Sequence, residues 1–114
     1  MFLYLNNSKT EYVISSACNF IQRASGLIFR KKLLANEAFY IQPCNSVHTF
    51  GMKYAIDIVY LDKTGVILKI TKNMQKRRIS WCFKAHSVLE FKSNASDLLA
   101  MQIGDVVSFL KFDI

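Results

Sequence analysis

The strongest pattern along the chain is a pair of apolar runs joined by one polar turn, "YAIDIVYLDKTGVILKI", from Tyr54 to Ile70. Successive side chains of a strand point to opposite faces, and Ile56–Leu61 and Val66–Ile70 predict two strands on this basis. Asp62–Gly65 between them has the composition of a hairpin turn. Both strands are apolar at nearly every position, which predicts a central hairpin covered on both faces.

Shorter apolar runs predict the other strands, and two stretches with helical spacing predict two short helices. The strand candidates are bounded by turn residues: Phe2–Leu5, Glu11–Ser15, Ala38–Cys44, Ser87–Lys92 and Asp105–Phe112. The helix candidates are Ser15–Gly26, capped by Ser15 or Ser16, and Ser93–Gly104, capped by Ser93 or Asn94. The pattern leaves the state of Leu27–Leu34 open.

These elements predict one domain over residues 1–114 that is mainly β, of the α+β type. Six to seven short strands and two short helices favour a small barrel-like or rolled antiparallel sheet with helices at its ends. A chain of 114 residues can bury a core without disulfide bonds. No internal repeat, linker or low-complexity segment divides the sequence.

The charge balance is basic, because 15 Lys and Arg stand against 8 Asp and Glu, a net charge of +7. The cations cluster at Arg30–Lys32 and at Lys72–Arg78. This balance is typical of a solvated basic surface, and binding of nucleic acid or of an anionic surface is the alternative. Trp81 and Phe83 beside the second cluster fit such a surface, although a single Trp is more often the edge of a core.

The cysteines and the N-terminus bear on the cellular compartment. Cys18, Cys44 and Cys82 are odd in number and too sparse for a disulfide framework, which favours a reducing compartment. One disulfide plus one thiol is the alternative in an exported protein. The first residues lack the basic and apolar stretches of a signal peptide, and no apolar run approaches the about 20 residues of a membrane span. We therefore expect a cytoplasmic protein.

Several segments in order resemble an uncharacterized family, domain of unknown function 192. "RASGLIFR" (Arg23–Arg30) resembles the family pattern Arg-x-x-Gly-Leu-Met-x-Arg, with Ile28 in place of Met. "PCNSVHTFGMKYAIDIVYLD" resembles the bacterial variant that reads Pro-Cys-x-x-Ile-His-Thr-x-x-Met and continues through Ile-Asp to Leu-Asp. "VLEF" and "IGDVV" resemble its Val-Leu-Glu-Leu strand and its closing Gly-Asp-Val. The resemblance covers about residues 17–107.

The resemblance implies a compact, mostly β fold and a bacterial protein, and it implies no reaction or ligand. Ala55 stands where the family usually has Pro, and "KSNAS" stands where the family usually has a Pro-Ala-Gly turn. The second departure predicts a different turn after Ser87–Lys92. Related proteins are often exported, whereas this chain shows no leader.

Polar residues between Pro43 and Asp57 are the main candidates for a binding site. Loops on a rigid β frame commonly carry binding residues, and Arg, Lys and His suit an anionic group. We predict a polar ligand pocket formed by His48, Thr49, Met52 and Asp57, with Lys53 nearby and with Arg23 and Arg30 converging on it. The alternative is structural: Thr49 and Asp57 pin a buried polar turn. For the binding interpretation, the expected partner is a small anionic ligand or another protein.

Catalysis is a second interpretation of the same segment. Cys44 and His48 could form a thiolate–imidazole pair in a small hydrolase or transferase, with Asp57 orienting His48. No Gly-rich turn activates Cys44, and the sequence therefore favours a binding or accessory module over an enzyme. Cys44–His48 and Cys82–His86 share the spacing Cys-x-x-x-His, which could supply four zinc ligands. This spacing is unusual for structural zinc, and we predict no metal or cofactor.

Overall fold

The computed structural model describes residues 1–17 and 33–110 of the chain. These residues contain nine strands and one short helix, which we call α1. Their bounds are β1 Phe2–Leu5, β2 Ser8–Ala17, β3 Glu37–Ile41, β4 Ser46–His48, β5 Ile56–Leu61, β6 Ile67–Met74, β7 Ile79–Trp81, β8 Ser87–Lys92, α1 Ala95–Leu98 and β9 Val107–Leu110. The predicted mainly β class is confirmed, and the strands outnumber the six to seven expected.

Seven strands form one sheet in the order β6-β5-β8-β3-β2-β1-β9. The predicted antiparallel sheet is wrong at one position, because β2 and β3 pair in parallel and make the sheet mixed. The sheet is rolled without a continuous closing ladder. Its outer strands meet at a single bridge between Val66 and Val106, beside a hydrogen bond from the Val107 amide to the Gly65 carbonyl at 2.8 Å.

Strands β4 and β7 form a separate two-stranded antiparallel sheet, which we call the ribbon. Val47 and Ser80 face each other on its buried side. His48 pairs with Ile79, and Ser46 pairs with Trp81, on its exposed side. The ribbon therefore presents one face to the protein and the other to solvent.

The predicted hairpin is present as β5 and β6, but its two strands differ in burial. All six residues of β5 are buried, as expected for a strand between β6 and β8. In contrast, β6 is the outer strand of the sheet, and most of its residues are half-buried or exposed. The expectation that both strands are covered on both faces is thus wrong for β6.

Strand β5 separates two apolar cores, as its alternating side chains require. Val59 and Leu61 pack in one core with Leu89 and Phe91 of β8. Ile56, Ile58 and Tyr60 pack in the other core, which also takes in residues of β3, β4 and β6. β-branched and aromatic residues, which are typical of sheets, make up at least half of each core.

The predicted helices differ from the structure. Ser15–Ala17 continue β2, paired in parallel with Phe39–Ile41, and a helix capped at Ser15 or Ser16 is therefore wrong. The rest of that candidate lies outside the described residues. The second helix is the single turn α1, and Asn94 precedes it in a left-handed conformation (φ 82°) without a capping side-chain hydrogen bond. No helix in the described ranges is both long and apolar enough to cross a membrane.

Candidate functional site

Thr49, just after the ribbon, ties together two loops that are distant in sequence. Its side chain is fully buried, and its hydroxyl donates to the Gln75 carbonyl at 2.6 Å. The Arg78 amide donates to the same hydroxyl at 2.9 Å, and the Thr49 amide donates back to the Arg78 carbonyl at 2.9 Å. The hydroxyl therefore uses its donor hydrogen and one acceptor lone pair in hydrogen bonds within the protein. The contacts match the structural alternative for Thr49.

Asp57, the second residue of β5, joins three elements through its buried carboxylate. One carboxylate oxygen, Oδ1, accepts from the Asn73 amide at 2.8 Å. The other, Oδ2, accepts from the amide and hydroxyl of Ser96, at 3.0 and 2.7 Å. The β5–β6 register shifts at this point, because Ile56 pairs with Met74 and Ile58 pairs with Thr71. Asp57 thus holds both a β-bulge and the first turn of α1.

The remaining residues of the predicted pocket point to different surroundings. His48 is exposed, and its ring centroid lies 5.6 Å from that of Phe50. Met52 is buried in the core that contains Tyr60, whereas Lys53 is exposed. Arg23 and Arg30 lie outside the described residues. A ligand site formed by His48, Thr49, Met52 and Asp57 stays a prediction.

An open pocket of about 620 Å³ lies at one end of the main sheet, where three loops meet. These loops follow β3, follow β5 and precede β8. The lining residues are Pro43, Cys44, Asn45, Asp62, Lys63, Thr64, Lys84, Ala85 and His86. Two backbone hydrogen bonds join the loops: Cys44 N–H donates to the His86 carbonyl at 3.0 Å, and His86 N–H donates to the Leu61 carbonyl at 2.8 Å. The pocket is therefore built on backbone fixed by the sheet.

The pocket lining contains two lysines, Lys63 and Lys84, and one carboxylate, Asp62. Asp62 Oδ1 accepts from the Val66 amide, the Thr64 hydroxyl and the Thr64 amide at 3.0, 2.8 and 2.8 Å. These hydrogen bonds, first that from Val66, lower the pKa of Asp62 below its ordinary value. The carboxylate is thus directed toward its own turn. Lys63 and Lys84 are exposed at the rim, and His86 is half-buried.

The pocket brings Cys44 together with His86, whereas His48 lies on the exposed side of the ribbon. The Cys44 thiol donates to the Ser46 carbonyl at 3.1 Å. Cys44 and Cys82 are both half-buried thiols, with no disulfide between them. Among the described residues, no group of three His, Cys, Asp or Glu side chains could hold a metal ion.

A chain of hydroxyl groups lies beneath the ribbon. The fully buried Tyr60 donates to Ser80 Oγ at 2.9 Å, and Ser80 is within 2.9 Å of Thr71 Oγ1. Burial raises the pKa of Tyr60 to about 12, although the hydrogen bond with Ser80 acts in the opposite direction. The neutral phenol is therefore the form that the fold favours.

The raised pKa of Tyr60 predicts a loss of stability at alkaline pH. An unfolded tyrosine titrates near 10. The stabilisation is complete below that pH and is lost as the pH rises from about 10 to about 12. Tyr60→Phe should flatten this fall in the free energy of unfolding, measured by denaturant titration at each pH. It should also remove one late step from the tyrosinate absorbance titration. If wild type and variant fall in parallel, Tyr60 is not the responsible group.

Sequence reasoning missed Lys63, Lys84 and the pairing of Cys44 with His86. The sequence pattern places Lys63 in a turn and indicates for His86 only a possible role as a zinc ligand. The sequence does show that the polar turn Asp62–Gly65 and the loop that ends at His86 each border a predicted strand, and this is the one local signal for the pocket. Their meeting depends on β8 lying next to both β5 and β3, and that order is not a local property of the sequence.

Comparison with known proteins gives a family and a fold. The family model of domain of unknown function 192 (DUF192, an uncharacterized ACR) matches residues 3–109. No curated protein matches the chain.

Two solved structures share the fold. One is a protein of unknown function from Novosphingobium aromaticivorans, with 18% identity and a TM-score of 0.79, covering 90% of this chain and 78% of that one. The other is a proposed transcription regulator from Sinorhizobium meliloti, with 16% identity and a TM-score of 0.82, covering 93% of this chain and 90% of that one. At these identities the likeness concerns the fold alone.

Proposed function

The chain belongs to the uncharacterized domain of unknown function 192 family, and we propose that it is a small binding module whose pocket at Cys44, Lys63, Lys84 and His86 takes a small anion. The observation that carries this proposal is the cationic pocket on a rigid frame. Its volume of about 620 Å³ falls within the range of roughly 300–1,000 Å³ of small-molecule sites.

The charges around the pocket favour a carboxylate or phosphate group. Lys63 and Lys84 stand on two different loops, so that an anion between them is approached from two sides. Asp62 is the acidic residue of the lining, and its Oδ1 is taken up by three donors of its own turn. The thiol of Cys44 and the ring of His86 add hydrogen-bonding groups deeper in the site.

Loss of either lysine should weaken anion binding. We expect Lys63→Ala and Lys84→Ala each to lower the affinity for the bound anion roughly three- to tenfold, since exposed charges contribute modestly. The probes are inorganic phosphate, pyrophosphate and citrate, titrated by calorimetry and by amide chemical shifts. The shifts should concentrate at Asn45, Thr64 and Ala85.

Lys53→Ala is the matched control, because Lys53 is also an exposed lysine and lies within the His48–Asp57 segment. It should leave the affinity unchanged. Shifts centred on His48 and Met52, together with an effect of Lys53→Ala, would move the site to the segment identified from sequence. If none of the three anions binds at millimolar concentration, the proposal is wrong.

A Cys-dependent hydrolase or transferase is the second candidate, favoured by the presence of Cys44 and His86 in one pocket. A nucleophilic cysteine acts as its thiolate. The Cys44 thiol instead donates a hydrogen bond to the Ser46 carbonyl, which suits a protonated side chain. The binding function therefore takes precedence over the enzyme. Rapid, stoichiometric alkylation of Cys44 by iodoacetamide at neutral pH, slowed by His86→Gln, would reverse this order.

A further inference from the structure

The exposed side of the ribbon carries an unusual set of aromatic and apolar side chains. We call His48, Phe50, Ile79, Trp81 and Phe83 the aromatic face. Ile79, Trp81 and Phe83 are 59%, 50% and 78% exposed, and Phe50 is 47% exposed. Exposed large apolar groups concentrated on one element mark an interaction surface more often than scattered ones do.

The aromatic side chains of this face are arranged in two close pairs. The rings of Trp81 and Phe83 are stacked, with centroids 6.4 Å apart and planes inclined by 29°. The rings of His48 and Phe50 lie 5.6 Å apart with planes inclined by 40°. His48 pairs with Ile79 and Ser46 pairs with Trp81, so His48 is the diagonal neighbour of Trp81 across the ribbon, and Phe50 and Phe83 lie toward its opposite ends. Flat side chains on a short ribbon resemble a platform on which planar ligand groups can stack.

The two segments that carry the aromatic face are rich in cations. Residues 43–54 and 69–86, which include the ribbon and its neighbouring loops, hold seven Lys or Arg and no Asp or Glu. Lys76, Arg77 and Arg78 are exposed in the turn that leads into β7. Lys69 Nζ donates to the Trp81 carbonyl at 2.7 Å and lies 5.9 Å from the centroid of its ring. A ligand on this face meets positive charge at more than one edge.

We propose that the aromatic face binds single-stranded nucleic acid, with bases stacked on Trp81 and Phe83 and phosphates beside Arg77, Arg78 and Lys84. Single-strand binders combine aromatic platforms with a basic path for the backbone. An anionic membrane or an acidic protein would also use the charge, but a single strand is the partner in which every unit carries both a planar group and a phosphate. A duplex presents its phosphates and hides the faces of its bases, and it therefore binds less tightly here.

Trp81 provides a direct test, because it is the one tryptophan of the chain. A labelled oligothymidylate of about 16 nucleotides should bind with quenching of tryptophan fluorescence, and its affinity should fall steeply with salt. Phe83→Ala should weaken binding about 5- to 140-fold, since base stacking contributes roughly 1–3 kcal/mol per base. Trp81→Ala, followed by anisotropy of the label, should do the same.

Two controls separate stacking from charge. Ile103→Ala removes a comparably exposed apolar side chain outside the ribbon and should leave the affinity unchanged. Arg77→Gln with Arg78→Gln should reduce the slope of log affinity against log salt by about 2, whereas Lys9→Gln should not. Circular dichroism of each variant establishes that it is folded.

Several results would overturn the proposal. One is an abasic oligonucleotide of the same length binding as tightly as the oligothymidylate, because stacking would then contribute nothing. Another is equal affinity in wild type, Trp81→Ala and Phe83→Ala. A third is a lack of oligonucleotide binding at low salt together with binding to vesicles of anionic phospholipid, which would assign the face to a membrane surface.

Discussion

Gly65→Ala should destabilise the protein by about 3 kcal/mol or more, because Gly65 is where the rolled sheet is drawn together. The residue has a φ of +91°, a conformation that costs alanine about 1–2 kcal/mol. An added Cβ would also overlap the carbonyl oxygen of Val107. That contact is between two backbones, which yield less readily than a side chain. Overpacking at such a point adds roughly 1–3 kcal/mol.

Gly104→Ala is the matched control, since Gly104 has a similar φ of +97° and an added Cβ there meets no atom within 4 Å. Its substitution should cost about 1–2 kcal/mol, the conformational part alone. Urea unfolding of both variants measures the two losses. Equal losses would show that the overlap with Val107 relaxes freely and that the junction of β6 with β9 is not tightly held.

A larger loss for Gly65→Ala also predicts weaker anion binding, because Lys63 and Thr64 belong to the same turn.

The sequence predicted the elements that depend on local pattern. Phe2–Leu5, Ile56–Leu61 and Ser87–Lys92 are strands with the expected bounds, because continuous β-rich runs end at turn residues. Asp62–Gly65 turns the chain as expected, with Asp62 accepting hydrogen bonds within its own turn. Here local preference and tertiary structure agree.

The sequence could not predict elements that depend on a distant partner. Ser15–Ala17 have helix-capping chemistry, yet they extend β2 because β3 offers them a parallel ladder. β4 and β7 have three residues each, too few for any period to be recognised, and each is a strand through pairing with the other. A residue pattern does not identify which strand lies next to which, and this is what brings Cys44 to His86.

Asp57→Ala should lower the free energy of unfolding by about 3–5 kcal/mol, a large part of the 5–15 kcal/mol typical of a domain. The substitution leaves three donors without their acceptor, namely the Asn73 amide and the amide and hydroxyl of Ser96. Ser96 is fully buried. Unsatisfied buried donors each cost about 1–3 kcal/mol. Chemical denaturation measures the loss.

The neighbouring variants separate the contributions to this loss. Ser96→Ala removes one of the three hydrogen bonds and leaves its amide paired, and it should cost about 1 kcal/mol. Asp57→Asn keeps the volume of the side chain but presents an amide N–H₂ to one set of donors. Its loss in the free energy of unfolding should therefore lie between those of Ser96→Ala and Asp57→Ala. Asp97→Asn is the exposed control, because Asp97 lies next to Ser96 in α1 and its surface salt bridge with Lys72 should contribute little.

The same variants decide whether the His48–Asp57 segment has a structural role or forms a binding site. Both carboxylate oxygens of the buried Asp57 accept hydrogen bonds from the protein. The hydroxyl of Thr49 is likewise used within the protein, since it donates to the carbonyl of Gln75, twenty-six residues further along the chain. A structural role predicts that Asp57→Asn loses stability while the folded variant still binds the anion probes with wild-type affinity. A binding role predicts that the folded Asp57→Asn variant has a changed affinity for the anion probes, in addition to any loss of stability. Because the three hydrogen bonds of Asp57 connect β5, β6 and α1, we expect the first result.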